Sequence, residues 1–148
     1  VDSLGSWTDF VGDEYKAFSG TAVYTTTINK VPVADVIKLD LGSVAENASV
    51  YLNGDYIGTV IDSPYQLYIP AEKFKGQDEL VVRVANSMAN RIAYMDKKGV
   101  DWKIFYNVNM SARKKENVKN GIFDASDWEP KSSGLLGPVT LTPAMVKQ

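Results

Sequence analysis

Ala48-Ser49-Val50-Tyr51-Leu52-Asn53-Gly54-Asp55-Tyr56-Ile57-Gly58 is the stretch whose reading decides the fold. A type I′ turn needs φ > 0 at both central residues, and Asn followed by Gly tolerates this best, so Asn53-Gly54 marks a two-residue hairpin. Before the turn, Ala48, Val50 and Leu52 alternate with Ser49 and Tyr51; after it, Tyr56 to Ile61 resumes a β-branched, aromatic pattern. Such alternation on both sides of a tight turn describes an antiparallel pair with one face on a core.

The pattern continues outward. Gly20 to Ile28 is rich in Thr, Val and Tyr, with Ala22, Tyr24, Thr26 and Ile28 on one face. Ile37, Leu39 and Leu41 alternate with Lys38 and Asp40, and Tyr65 to Ile69 is a short strand between Pro64 and Pro70. In Glu79 to Asn86, Leu80, Val82 and Val84 face one way and Val81 the other, which predicts a central strand between two layers. Trp102 to Met110 and Gly137 to Thr142 read as further strands, and Ala71 to Phe74 as a single helical turn. Residues 1–19 read as an irregular arm with a short strand near Ser6-Trp7. Ser87 to Asp101 shows no steady period, and Ser111 to about Gly121 reads as a polar loop. With about eight short strands, regular turn signals and no helix, the expectation is an all-β chain, a two-layer antiparallel β-sandwich.

A length of 148 residues, 45% hydrophobic and 23% charged, suits one domain over residues 1–148 with a real core. The net charge of −2 argues against a nucleic-acid partner. The run Arg113-Lys114-Lys115 is interrupted by Glu116 and flanked by Asn117 and Asn120, which reads as a solvated loop. Cysteine and histidine are absent, which removes thiolate nucleophiles, disulfides, imidazole ligands and every His-based triad. No apolar run approaches the roughly 20 residues of a membrane-spanning helix, and no signal peptide is recognisable. The opening Val1-Asp2-Ser3 suits a mature or excised piece of something longer.

Four stretches together resemble the galactose-binding-like jelly roll, the sugar-binding domain of family 2 glycoside hydrolases. They are Gly20-Thr21 with Tyr24 and Ile28; Val50-x-Leu52-Asn53-Gly54-x-x-Ile57-Gly58; Leu80-x-Val82-x-Val84-x-Asn86; and Gly134-Leu135-x-Gly137-Pro138-Val139-x-Leu141. The resemblance covers roughly residues 15–142. Asn86 to Arg91, Trp102 to Asn107, Trp128 and Ser133 to Val139 are similar to the accessory module of α-L-rhamnosidase-like hydrolases of polysaccharide-degrading bacteria. This resemblance implies a two-sheet jelly roll and a non-catalytic carbohydrate-binding or accessory module of a larger hydrolase. Its partners would be carbohydrate and the parent's catalytic domain, in the periplasm or outside the cell. The alternative it leaves open is a purely structural domain without a sugar site.

Sugar recognition sets an aromatic ring against the C–H face of a pyranose and amide, carboxylate or guanidinium groups around its hydroxyls. Trp102 and Tyr106 are the candidate platforms, with Trp128 and Tyr65 next. Asn86, Asn90, Arg91, Asp96 and Asp101 are the candidate rim, mostly in the loosely patterned 86–110 region where loops would gather. Trp102 also suits core packing, Asn86 a strand end and Arg91 a surface bridge to Asp96 or Asp101. Family members sometimes hold a structural calcium; Asp9, Asp13 and Glu14 are acidic neighbours here, but their spacing matches no calcium loop, so no cofactor is expected. A glycosidase needs two opposed carboxylates, and Asp96, Asp101, Asp124, Asp127 and Glu129 form no recognisable pair, so this chain alone is not expected to be an enzyme.

Overall fold

The computed structural model describes residues 3–104 and 114–144. The strands are β1 (Thr21–Ile28), β2 (Val36–Asp40), β3 (Ser43–Ala45), β4 (Asn47–Leu52), β5 (Asp55–Val60), β6 (Gln66–Pro70), β7 (Asp78–Ala85), β8 (Val118–Lys119), β9 (Ile122–Phe123), β10 (Gly134–Gly137) and β11 (Thr140–Pro143). Among the described residues there are also two α-helices, α1 (Asp13–Lys16) and α2 (Ala89–Lys97), and short 3₁₀ turns. The chain falls into two compact units, one built from Val1–Ser6, Gly20–Asn86 and Ser133–Gln148, the other from Trp7–Ser19 and Ser87–Ser132.

The first unit is an antiparallel β-sandwich. One sheet has the order β1-β7-β4-β5, and β11-β2-β6 and β10-β3 form the other layer. Ala48, Val50 and Leu52 of β4, Leu80, Val82 and Val84 of β7, and Leu39 and Ile69 opposite them share one core with Leu135. The alternation read from the sequence therefore points where it was expected to point. β7 is central in its sheet, paired with β1 and β4. Its second face is not covered by another layer: Glu79 and Arg83 are exposed, and Arg83 lies 4.9 Å from the Tyr51 ring centroid. At the hairpin, Leu52 pairs with Asp55, and Asn53 and Gly54 take φ of 53° and 85°, the type I′ signature.

Side-chain amides hold β7 at both ends. At its start, Asn53 Nδ2 donates to Asp78 Oδ1 at 2.7 Å, and the Glu79 N–H donates to Asn53 Oδ1 at 2.9 Å. Asp78, 1% exposed, also accepts the Lys75 N–H at 2.8 Å and the Gly76 N–H at 3.0 Å. At its end, the Gly20 N–H donates to Asn86 Oδ1 at 3.0 Å, and Asn86 Nδ2 donates to Ser133 Oγ at 3.1 Å. The Leu135 N–H donates to the Tyr24 hydroxyl at 3.1 Å, so the dispersed motif positions Gly20, Tyr24, Asn86 and Leu135 converge in one closure of the sandwich.

The second unit departs from the sequence reading. Trp7–Asp9 is a 3₁₀ turn where a short strand was expected. Ala89–Lys97 is a helix where no period was found. Asn90 is its buried residue, and Ile92 and Ala93 pack against Phe123 and Ala125, so a polar residue beside the apolar pair blurs the stripe. The run has no Gly or Pro until Gly99 (φ 67°), where the Gly99 N–H donates to Asp96 O at 3.1 Å and the Val100 N–H to Met95 O at 2.9 Å, a Schellman ending. The expected polar loop contains a second Asn-Gly hairpin, with Asn120 and Gly121 at φ of 52° and 79° between β8 and β9. Trp102 and Lys103 lie outside regular structure, and the rest of the expected 102–110 strand begins at Ile104, a bend, and then lies outside the described residues.

Burial pushes the Asp78 carboxyl up, but the Asn53 amide, the Lys75 and Gly76 N–H groups and the Lys75 charge outweigh it and hold it below its ordinary value. The folded state therefore favours the charged form. This contribution is full above an unfolded value of about 3.9 and is lost as pH falls through the lower folded value. Asp78→Asn is expected to lower stability at pH 7 and to flatten the loss of stability between about pH 4 and pH 2, read by urea unfolding at several pH values. Asp78→Ala is expected to cost about 2–4 kcal/mol, because it strands three donors.

Candidate functional site

The residues singled out as a sugar rim are, in the folded chain, largely engaged with other parts of the protein. Asn86 closes the sandwich, as above. Asn90 is 6% exposed; its Nδ2 donates to Lys131 O at 2.8 Å and its Oδ1 accepts the Lys131 N–H at 2.8 Å, a two-bond clamp on a distant backbone. The Asp96 side chain is 1% exposed and is the hub of the second unit. It accepts the Trp102 indole N–H at 2.7 Å and the Ala125 N–H at 2.8 Å, and pairs with Lys103. Trp102 is half-buried against the cluster of Phe123 and Ala125, with the Lys103 ammonium 5.0 Å from its ring centroid. Arg91 is exposed on α2, 6.0 Å from the Tyr94 ring, and Asp101 is exposed. Tyr65 is half-buried against the sandwich core. Tyr106 lies outside the described residues. Among the acidic residues near the start, Asp13 pairs with Lys98 at 3.3 Å, and among the described residues no cluster of three possible metal ligands forms.

What the folded second unit does offer is an open groove of about 370 Å³ bordered by α1, α2 and the Ser126–Pro130 segment. Tyr94 and Trp128 supply rings; Lys16, Lys97, Lys98, Asp13, Asp127 and Glu129 supply charge; Asn90 and Ala93 lie in its lining. Trp128 is half-buried and held in place, its indole N–H donating to Asn117 Oδ1 at 2.9 Å and its ring edge-on to Phe123 at 5.8 Å. Tyr94, Lys97 and Lys98 are spaced i, i+3, i+4, so one helix face presents all three. That spacing was readable, but only once the segment was recognised as a helix. Beside the groove, Asp124 lies below its ordinary carboxyl value because the Ser126 hydroxyl donates to it, against the opposing effect of burial, with help from the Ser126 N–H and Lys119. Lys119 bridges Asp127 at 3.1 Å and Asp124 at 3.3 Å.

The first unit has a different concavity, about 710 Å³, beside β1. Leu4, Leu80, Val82, Leu135, Val139 and Leu141 line one part of it, and Thr25, Thr26, Thr27, Asn29 and Lys30 another. β1 is the terminal strand of its sheet, with Val23 60% exposed.

Asp96→Ala is expected to cost about 3 kcal/mol or more, since it leaves the Trp102 and Ala125 donors and the Lys103 charge without their acceptor. Near-UV circular dichroism and Trp fluorescence should report loss of packing around Trp102 and Trp128, with most far-UV strand signal kept.

No family model matches the chain. Over 95% of its length it is 34% identical to a protein of Formosa agariphila provisionally named a beta-glucuronidase, and it covers 13% of that protein. The solved rhamnosidase of Novosphingobium sp. PP1Y matches 93% of the chain with a TM-score of 0.73 and 29% identity, the chain covering 12% of it. A GH2 beta-galacturonidase of Eisenbergiella tayi gives a TM-score of 0.46 at 21% identity, over 56% of this chain and 14% of that one. Nearly the whole chain is thus related to a small segment of large glycoside hydrolases.

Proposed function

We propose that this chain is a non-catalytic accessory module of a bacterial polysaccharide-degrading glycoside hydrolase, of galactose-binding-like jelly-roll type, and that it holds carbohydrate in the groove of its second unit. The observation that carries the reading is the coverage: 95% and 93% of the chain match 13% and 12% of two large hydrolases. A segment of that size fits a module working beside a catalytic domain, in the periplasm or outside the cell.

The groove supports carbohydrate as the ligand class. Trp128 and Tyr94 provide ring surface for a pyranose C–H face, and the charged rim provides partners for hydroxyls. Hydrolysis would need a proton donor and an opposed carboxylate. Of the groove's three carboxylates, Asp13 and Asp127 are tied to Lys98 and Lys119, and Glu129 lies on the same segment as Asp127. The platform therefore moves from Trp102, which does not line the groove, to Trp128, which does. A second reading, a domain whose task is to pack against the catalytic part, is favoured by the leucines and valines that line part of the concavity beside β1.

A glycan array followed by calorimetry on the chain tests this. Binding in the high-micromolar to millimolar range is expected for a shallow site, with no turnover of an aryl-glycoside panel. Trp128→Ala is expected to remove binding; Tyr94→Ala should weaken it severalfold with the melting curve unchanged. A well-folded chain that binds no glycan would favour the packing reading, and turnover abolished by Asp127→Asn would overturn the non-catalytic one.

A further inference from the structure

We infer that Asn120 is a site of spontaneous covalent modification: the Gly121 amide attacks its side chain, and the resulting aspartate and isoaspartate loosen the seating of Trp128. The inference goes beyond the carbohydrate reading and does not depend on it. The chain has two Asn-Gly pairs, Asn53-Gly54 and Asn120-Gly121. Both lie at the centre of type I′ turns, with φ of 53° and 85° in the first and 52° and 79° in the second. A following glycine has no Cβ to hinder ring closure on its own nitrogen, so both asparagines share the reactive context. What differs is the fold around them.

Asn53 is locked in place. Its Nδ2 donates to Asp78 Oδ1 at 2.7 Å, its Oδ1 accepts the Glu79 N–H at 2.9 Å, and its own N–H donates to Glu79 O at 2.8 Å. Turning its carboxamide carbon towards the Gly54 nitrogen breaks both side-chain bonds. The strands beside it have six residues each and belong to a four-stranded sheet. Asn120 is exposed, and its side chain makes no hydrogen bond among the described residues. Its hairpin has strands of two residues each, which form a sheet of their own. A two-stranded ribbon so short opens locally with little cost.

In the reaction, the Gly121 nitrogen gives up its proton to hydroxide and bonds to Asn120 Cγ. The Cγ–Nδ2 bond breaks, and Nδ2 leaves as ammonia with a proton from water. Water then opens the cyclic imide at either carbonyl, giving aspartate or isoaspartate; nothing is oxidised or reduced. Either product places a new carboxylate next to Lys119, whose ammonium bridges Asp127 at 3.1 Å and Asp124 at 3.3 Å. Isoaspartate also adds a methylene carbon to the backbone of the turn, which upsets the pairing of Val118 with Phe123 and of Lys119 with Ile122. Trp128 leans on both sides of this hairpin. Its indole N–H donates to Asn117 Oδ1 at 2.9 Å, just before β8, and its ring meets Phe123 of β9 edge-on at 5.8 Å.

The test is peptide mapping by mass spectrometry of the chain stored at pH 8, with the urea-unfolded chain alongside; each conversion adds about 1 Da. The expected result is conversion of Asn120 at least about tenfold faster than of Asn53 in the folded chain, and rates within about twofold of each other in urea. Asn120→Gly keeps a Gly-Gly type I′ turn and should show no mass gain there. In the ¹⁵N-labelled chain, the Trp128 indole N–H signal should move as Asn120 converts and stay in place on storage of Asn120→Gly. Equal rates in the folded chain, or a faster rate at Asn53, overturn the assignment of the site. So does an Asn120 that stays intact when folded while both asparagines convert in urea. Conversion that leaves the Trp128 signal where it was overturns the coupling to the tryptophan.

Discussion

The sandwich depends on a strand that is fixed at both ends. β7 lies between β1 and β4, so a slip of one residue in either ladder would turn Leu80, Val82 and Val84 out of the core together. Asn53 grips its start through Asp78 and the Glu79 N–H, and Asn86 grips its end by accepting from Gly20 and donating to Ser133. The same asparagine that permits the hairpin by its positive φ thus sets the register of the neighbouring strand with its side chain. Local turn chemistry and long-range pairing agree on one arrangement, which is the condition for a single folded state.

The second unit is organised by a different device. Among its described residues, Phe123 and Ala125 form a small buried cluster with Trp102, Trp128, Ile92 and Ala93 against them, and Trp7 and Ala17 are buried as well. Order there comes from buried polar groups with several partners, Asp96 with Trp102, Lys103 and Ala125, and Asn90 with both backbone groups of Lys131. Such networks are costly when broken and specific when complete. They position α2 and the Ser126–Pro130 segment, and with them the rings and charges of the groove.

This contrast explains what could be read in advance. The sandwich strands declared themselves because one face is wet and the other dry, a period-two signal that survives without any knowledge of partners. α2 did not, because its buried residue is Asn90, and hydrogen bonding to residues 41 positions away leaves no trace in local composition. The Asn120-Gly121 hairpin was legible by the same rule as Asn53-Gly54; its flanking strands of two residues each were too short to show alternation. Asn86, Asn90, Asp96 and Trp102 were expected as sugar contacts from the loss of pattern around them, and in the folded chain that loss of pattern coincides with internal polar bonding. The groove residues Lys16, Tyr94 and Trp128 come from three separate stretches, and only the fold brings them to one border.

The free edge of β1 carries a further consequence. Ala22-Val23-Tyr24-Thr25-Thr26-Thr27-Ile28 has high β-propensity and contains no charge, proline or glycine. Those are the attributes of segments that stack into cross-β fibrils. While β1 is zipped to β7, half of its backbone groups are paired and Lys30 stands just past its end as a charged gatekeeper. Once β1 peels away, the whole segment becomes a template for copies of itself. The colloidal fate of the chain in solution therefore hangs on the lifetime of the β1–β7 ladder, and the amide clamp between Gly20 and Asn86 is the latch that prolongs it.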